Sequence, residues 1–360
     1  MEKNQEALTS VSLRIACSAG AGLLFGLWLC QPLPASAQTV TTYALNASGS
    51  EPKGIVAGPD GALWFTELYT NNIGRIDTKG NITEFPLLSA AAWPYLITKG
   101  PDKALWFTEA QADNIGRIDT SGNITEFTIP TGAAFPLGIT VGPDNALWFT
   151  EVFGDNIGRI DTGGNIKEFP LPNPSSSPYA IVTGPDGALW FTEELGNNIG
   201  RSDTAGNITE FALPEAGAYP TSMVVGPDGA LWFTEFINNR IGRIDTKGNI
   251  TEFSLPGPNG YPTGIAVGPD GQLWFAEGPM RNYVASISTK GVITEYPLVS
   301  PGAFSANAAW MAAGPDGALW FTEEIGNIAR IAPAGATTTA VTSASEARGY
   351  TGPRGETGAR

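Results

Sequence analysis

GPDGALWFTE at residues 58–67, followed by NNIGRIDTKGNITEFPL at residues 71–87, is a segment that the chain repeats. The Gly-Pro-Asp tripeptide opens again at Gly100, Gly142, Gly184, Gly226, Gly268 and Gly314. That makes seven copies, spaced five times by 42 residues and once by 46. A unit of this length with several short apolar runs is the signature of a propeller blade, a small sheet stacked on its neighbours around an axis. In the first copy Gly54–Ala57 reads as the innermost strand and Gly58-Pro59-Asp60-Gly61 as a tight turn. Ala62–Thr66 is apolar on both faces, as a strand between two neighbouring sheets must be. Ile73–Ile76 reads as the third strand, and Asn81–Phe85 as the outer one, with Thr and Glu on its solvent side.

The fold class that follows is all-β: seven four-stranded blades in one closed ring, over residues 38–335. TVTTYAL at residues 39–45 reads like the outer strand NITEFPL, with Tyr43 in the phenylalanine position. The seventh copy ends weakly, at Ala336–Ala340. The N-terminal segment is therefore expected to supply the seventh blade's outer strand and clasp the ring.

The ends read differently. Ile15–Cys30 is an apolar run after Lys3 and Arg14, followed by Ala35-Ser36-Ala37. That is the pattern of a secretory signal over residues 1–37, with an uncleaved anchor as the alternative. Cys17 and Cys30, the chain's two cysteines, both fall within it. The mature protein is thus expected to be secreted, periplasmic or extracellular, free of the membrane after cleavage, and without disulfides. Residues 336–360 read as a flexible tail with four collagen-like triplets, too few for a triple helix. The formal charge of −15 and the absence of histidine argue against nucleic-acid binding, since an acidic surface repels phosphate. A monomer is expected.

Chemistry should lie where the copies disagree, because what all seven share builds the blade. The glutamate ending each LWFTE or LWFAE (Glu67, Glu109, Glu151, Glu193, Glu235, Glu277 and Glu323) invites a cation as a ring of carboxylates. Alternatively each pairs with the arginine of its IGRI or caps the Asn-Asn loop, and the uniformity of the pattern favours this second reading. The seven LWF tryptophans read as packing between blades. Around the proline before each inner strand the copies diverge: Lys53, Tyr95, Leu137, Tyr179, Thr221, Thr263 and Trp310 follow it or its equivalent. Trp93, Tyr219 and Tyr261 precede it, and blade six adds Met280, Arg281 and Tyr283 in a lengthened loop. These place an aromatic mouth with one lysine at one end of the ring.

GPDGALWFTE, NNIGRID and GNITEFPLP, repeated with a proline-led inner strand between, resemble the virginiamycin B lyase (streptogramin lyase) family over residues 39 to about 335. The resemblance implies a seven-bladed propeller. It also implies an enzyme that opens a cyclic depsipeptide at its ester by elimination, with Mg²⁺ assistance. The family's base is a histidine just after blade seven's rim proline, where Trp310 stands here, with a glutamate two residues earlier, where Ala308 stands. A second histidine corresponds to Thr263 and a blade-one tyrosine to Lys53. A metal-site glutamate at the end of blade seven's second strand corresponds to Glu324.

Removing a proton alpha to an ester carbonyl needs a base poised near neutral pH and a cation for the enolate, which Trp310 and Thr263 cannot supply. The chain therefore reads as a non-catalytic binder of a glycan, peptide or other small molecule. Its rim is formed by Lys53, Trp93, Tyr95, Tyr179, Tyr219, Tyr261, Thr263, Arg281 and Trp310. The competing reading is a lyase whose chemistry has moved to Lys53 and Glu324, with Glu324 and Glu194 holding Mg²⁺. In that reading Lys53 acts as a base only if burial lowers its pKa.

Overall fold

The computed structural model describes residues 40–47, 49–278, 281, 283–298 and 308–332, with the backbone alone at 308 and 309. The expected leader at 1–37, the tail at 336–360 and Met280 lie outside the described residues. Twenty-eight strands make seven four-stranded antiparallel sheets, and the described residues contain no helix. In blade one the order from the axis outward is Pro52–Ala57, Leu63–Glu67, Asn72–Ile76 and Ile82–Pro86. Each inner strand packs on those of the two adjacent blades, the seventh against the first, so the ring closes.

The repeated letters explain the blade. Trp64, with no exposed surface, donates from Nε1 to Asp60 Oδ1 at 3.0 Å, and Arg75 Nε reaches Asp60 Oδ2 at 2.6 Å. The turn aspartate thus satisfies a buried indole and holds the arginine beside it, which fixes the spacing of GPD, LW and IGR. Of the two partners expected for the strand glutamate, its IGRI arginine or the Asn-Asn loop, the arginine is not the one: it lies at the opposite end of the second strand, across from the tryptophan in register. Trp64 stacks on Phe85 at 5.5 Å and packs with Leu105, Phe107 and Ile118 of blade two, so the apolar core is a set of layers between blades. Gly74 is required because Phe65 lies across it; any Cβ there would sit 2.1 Å from the ring.

The N-terminal strand Val40–Ala44 pairs antiparallel with Asn327–Ile331 and completes blade seven. Tyr43 stacks on Trp320 at 5.5 Å, the same spacing that Phe85 keeps from Trp64.

Blade seven corrects one expectation. Ala308 stands opposite Glu323, where the other blades place the rim proline, as Pro52 opposite Glu67. Trp310 therefore takes the place of Gly54, and Ala309 takes the place after the proline. The proline that marks this register in six copies is missing from the seventh. The position assigned to the family's glutamate shifts with it to Asn307, outside the described residues. The second strand also ends at Glu323, so Glu324 lies one residue past it.

Candidate functional site: a mouth at one end of the ring

Inner strands enter and second strands leave at the same end of each blade, which gathers variable residues around the axis. There the inner strand bulges: Pro52 faces Glu67 but Ile55 faces Phe65, which leaves Lys53 and Gly54 opposite Thr66. Thr66 Oγ1 accepts from Gly54 N at 3.0 Å and donates to the Tyr95 carbonyl at 2.6 Å, which ties the bulge to the next blade. In blade seven Thr322 donates to the Lys53 carbonyl at 2.8 Å and carries the same lacing across the closure. The residue before the proline adopts a left-handed backbone in blades one to six, at φ 57° for Trp93 and 43° for Tyr261. Bulky residues rarely do so, and neighbours hold them there. The Trp93 carbonyl accepts from Ala110 N at 3.0 Å, while Asn71 Oδ1 accepts from Ala92 N at 2.7 Å.

The residue directly after each strand glutamate turns inward. Leu68, Ala110 and Val152 are buried there, and in blades four and seven the same position holds Glu194 and Glu324. Glu324 Oε1 lies 2.5 Å from Lys53 Nζ, and Glu51 Oε2 lies 3.4 Å from it. The Lys53 side chain is only 11% exposed. Burial acts to lower its pKa, but Tyr95, Glu324 and Glu51 outweigh that and hold the ammonium above its ordinary value. Lys53 is thus a charged anchor and not the lowered-pKa base that relocated catalysis requires.

Beside it, the hydroxyls of Tyr95 and Tyr179 hydrogen-bond to each other, which joins blade two to blade four across blade three. Leu137 fills the space beneath, packed with Trp93, Phe135 and Val152. Burial pushes both phenols up, Tyr179 well above its ordinary value. Both feel the carboxylates of Glu194 and Glu324. Glu194 is half-buried and accepts no hydrogen bond from the described residues, and burial alone raises its pKa.

The other expected rim residues divide. Trp93 stands edge-on between Tyr69 and Phe135, and Tyr261 packs on Phe236. Tyr219 and Thr263 are half-buried at the mouth. Arg281 is not part of the mouth: it is spent inside blade six, with Nη1 at 2.8 Å from Glu277 and 2.9 Å from Glu295. Trp310 lies deeper, lining an axial cavity of about 220 Å³ with Met311, Met223 and Ile139. Sequence reasoning missed an apolar collar two positions past the strand glutamates, where Tyr69, Phe153, Leu195, Ile237 and Ile325 are each at least 46% exposed. The signal was there to find, as five of seven copies carry a large apolar residue at that position.

The described residues do not fit Mg²⁺, which takes a near-octahedral set of oxygens. Among the described residues no three acidic, histidine or cysteine groups converge to hold a metal ion. Where Glu324 and Glu51 approach, the Lys53 ammonium already stands between them. The strand glutamates form no axial ring either. They are buried within the blades, with Asn114, Asn156, Asn198 and Asn327 donating to Glu109, Glu151, Glu193 and Glu323.

Comparison with known proteins agrees with this architecture. The chain resembles the virginiamycin B lyase of Staphylococcus aureus at 39% identity, over 82% of this chain and 99% of that one, with a TM-score of 0.78. A streptogramin B lyase structure matches at 36% identity, over 82% of this chain and 97% of that one, with a TM-score of 0.78. A catalytically inactive histidine-to-alanine variant of the Staphylococcus aureus enzyme, solved with quinupristin, matches at 40% identity, over 82% of this chain and 99% of that one, with a TM-score of 0.77. The sequence profile of the Virginiamycin B lyase family matches residues 35–223 and 173–357, and the chain belongs to that family.

Proposed function

We propose that this propeller is a secreted, monomeric, non-catalytic member of its family that binds a glycan, peptide or other small molecule at its aromatic mouth. The observation that carries the reading is the state of Lys53. The one amine at the mouth is locked between Glu324 and Glu51 with its pKa raised, so it cannot take a proton at neutral pH. Thr263 and Ala309, at the positions where the family resemblance implies histidines, carry no base, and the chain contains no histidine at all. In the Staphylococcus aureus relative, a single histidine-to-alanine change accompanies loss of catalysis.

Incubation with quinupristin, with and without Mg²⁺, tests the catalytic half by mass spectrometry of the ring. The expected result is an intact ring in both samples. Mg²⁺-dependent opening that is lost in Glu324→Gln would overturn the reading and restore the metal-assisted lyase that family membership favours. Glycan and peptide arrays test the binding half. A bound ligand should be lost in Trp93→Ala and Tyr95→Ala, and retention in both variants would move the site elsewhere.

A further inference from the structure

We infer that the ligand of this mouth carries an organic ammonium group on an apolar body, with the ammonium held by Glu194 beside the Tyr95–Tyr179 pair. The inference rests on the reading that the mouth binds a ligand, and it names the ligand's chemistry. The argument is a charge balance at one place. A single ammonium, Lys53, faces Glu324 and Glu51 and is consumed by them. Glu194 occupies in blade four the same inward position that Glu324 occupies in blade seven, yet among the described residues no cation pairs with it. Arg281, the other cation expected at the rim, is held by Glu277 and Glu295 inside blade six.

An anionic ligand would therefore meet surplus negative charge at the mouth, on a chain whose formal charge is already −15. A carboxylate partly removed from water without a partner favours an arriving cation. The electron-rich faces of Tyr95 and Tyr179 add attraction for an ammonium, which they would not give to a carboxylate. Pro178 stands opposite Glu193, and Glu194 N donates to the Ser177 carbonyl at 3.0 Å. Glu194 and Tyr179 thus sit at the same end of blade four's paired strands, and the acid and the tyrosine pair belong to one site. The collar of Tyr69, Phe153, Leu195, Ile237 and Ile325 offers apolar surface around that charge. It suits a ligand whose body is apolar.

Three probes with one phenylpropyl body separate the possibilities: 3-phenylpropyltrimethylammonium, 3-phenylpropanol and 3-phenylpropanoate, titrated into the full chain by calorimetry or ligand-observed NMR. The expected order has the cation at least about tenfold tighter than the anion, a ratio within reach of one charge contact plus cation–π attraction. Glu194→Gln should remove that preference while leaving 3-phenylpropanol unchanged. Equal or tighter binding of the anion overturns the inference, as does a cation preference that survives Glu194→Gln; both leave the aromatic mouth standing. Displacement of the ammonium probe by Mg²⁺ would also overturn it, since Glu194 would then be a metal ligand. Failure of all three probes to bind, or binding insensitive to Trp93→Ala and Tyr95→Ala, removes the ligand site itself and the inference with it.

Discussion

An ammonium as enclosed as that of Lys53 depends on the carboxylates that face it. Lys53→Met removes the ammonium that Glu324 and Glu51 share while leaving both carboxylates partly buried, and should cost about 1–3 kcal/mol of stability in urea unfolding. Glu324→Leu alone should also destabilise, because Glu51 at 3.4 Å cannot replace a contact at 2.5 Å. The double variant Lys53→Met, Glu324→Leu should recover most of the loss, since an apolar pair of similar volume often equals a buried ion pair. Additive losses in the double-mutant cycle would show that the two side chains are not coupled. Much of the site could be read at this scale, and two features could not. Six copies carry the rim proline, so counting puts Lys53, Tyr95 and Tyr179 directly after it, in the register the blades show. Trp310 was set one position off because Ala308 replaces that proline. The pairing of Lys53 was out of reach, because Glu324 lies 271 residues away and meets it only when the ring closes.

Within the blade, the strand glutamates give a pH response whose sign can be worked out. Burial raises Glu109, Glu151 and Glu235 to about 8, and Glu193 and Glu277 to about 7. A second carboxylate on the outer strand adds to this: Glu126 for Glu109, Glu168 for Glu151, Glu210 for Glu193, Glu252 for Glu235 and Glu295 for Glu277. Asn114, Asn156 and Asn198, the Ser176 hydroxyl, and the Arg240 and Arg281 guanidiniums oppose the shift, while Asp113, Asp155 and Glu215 reinforce it. In each of these five blades Oε1 of the strand glutamate has no hydrogen-bond partner among the described groups, because two ionised carboxylates cannot bond. One proton between the two acids resolves this. A carboxyl whose folded pKa lies above its unfolded value binds its proton more tightly in the native state. It contributes stability below about pH 4.5 that is lost as pH rises through about 7–8. The turn aspartates act in the other direction. Asp60, Asp102, Asp144, Asp186, Asp228 and Asp316 have lowered values, so their contribution is present above the unfolded carboxylate pKa and lost only in stronger acid. Melting temperature should therefore peak in mild acid and fall between about pH 5 and 8. Replacing Glu109, Glu151 and Glu235 by Gln, which keeps a donor facing the outer-strand acid, should flatten that fall. A melting temperature that climbs steadily to pH 8 in scanning calorimetry would contradict the protonated pairs. The sequence showed these glutamates as a uniform row but not their second acids, since NITE reads as a solvent-facing strand, whereas its glutamate stands opposite the third strand's glycine.

At the scale of the whole ring, stability rests on a joint between the two ends of the chain. This joint was legible because a propeller must close and TVTTYAL repeats the outer-strand pattern, so one tyrosine located the missing strand. Tyr43 covers Trp320, and its ring lies where a Cβ on Gly80 of blade one would come within 2.2 Å, so it fills the seam between the seventh and first blades. The same strand brings Thr42 opposite Ala329, where blade one has Glu84 opposite Gly74, which leaves Glu323 without the second acid found in other blades. The joint is thus apolar and backbone-paired and should respond little to pH. Deleting residues 39–45 removes a hydrogen-bonded ladder to Asn327–Ile331 and exposes the Trp320 face, and it should lower the melting temperature by roughly 5–10 °C. Tyr43→Ala keeps the ladder and loses the ring, so it should cost less, about 2–3 kcal/mol. Tyr43→Phe should be neutral, because Phe85 fills the matching place over Trp64. An unchanged melting temperature on deletion would mean that the third strand of blade seven can stand as a free edge. If Tyr43→Phe proves as costly as Tyr43→Ala, the hydroxyl and not the stacked ring would be holding the clasp.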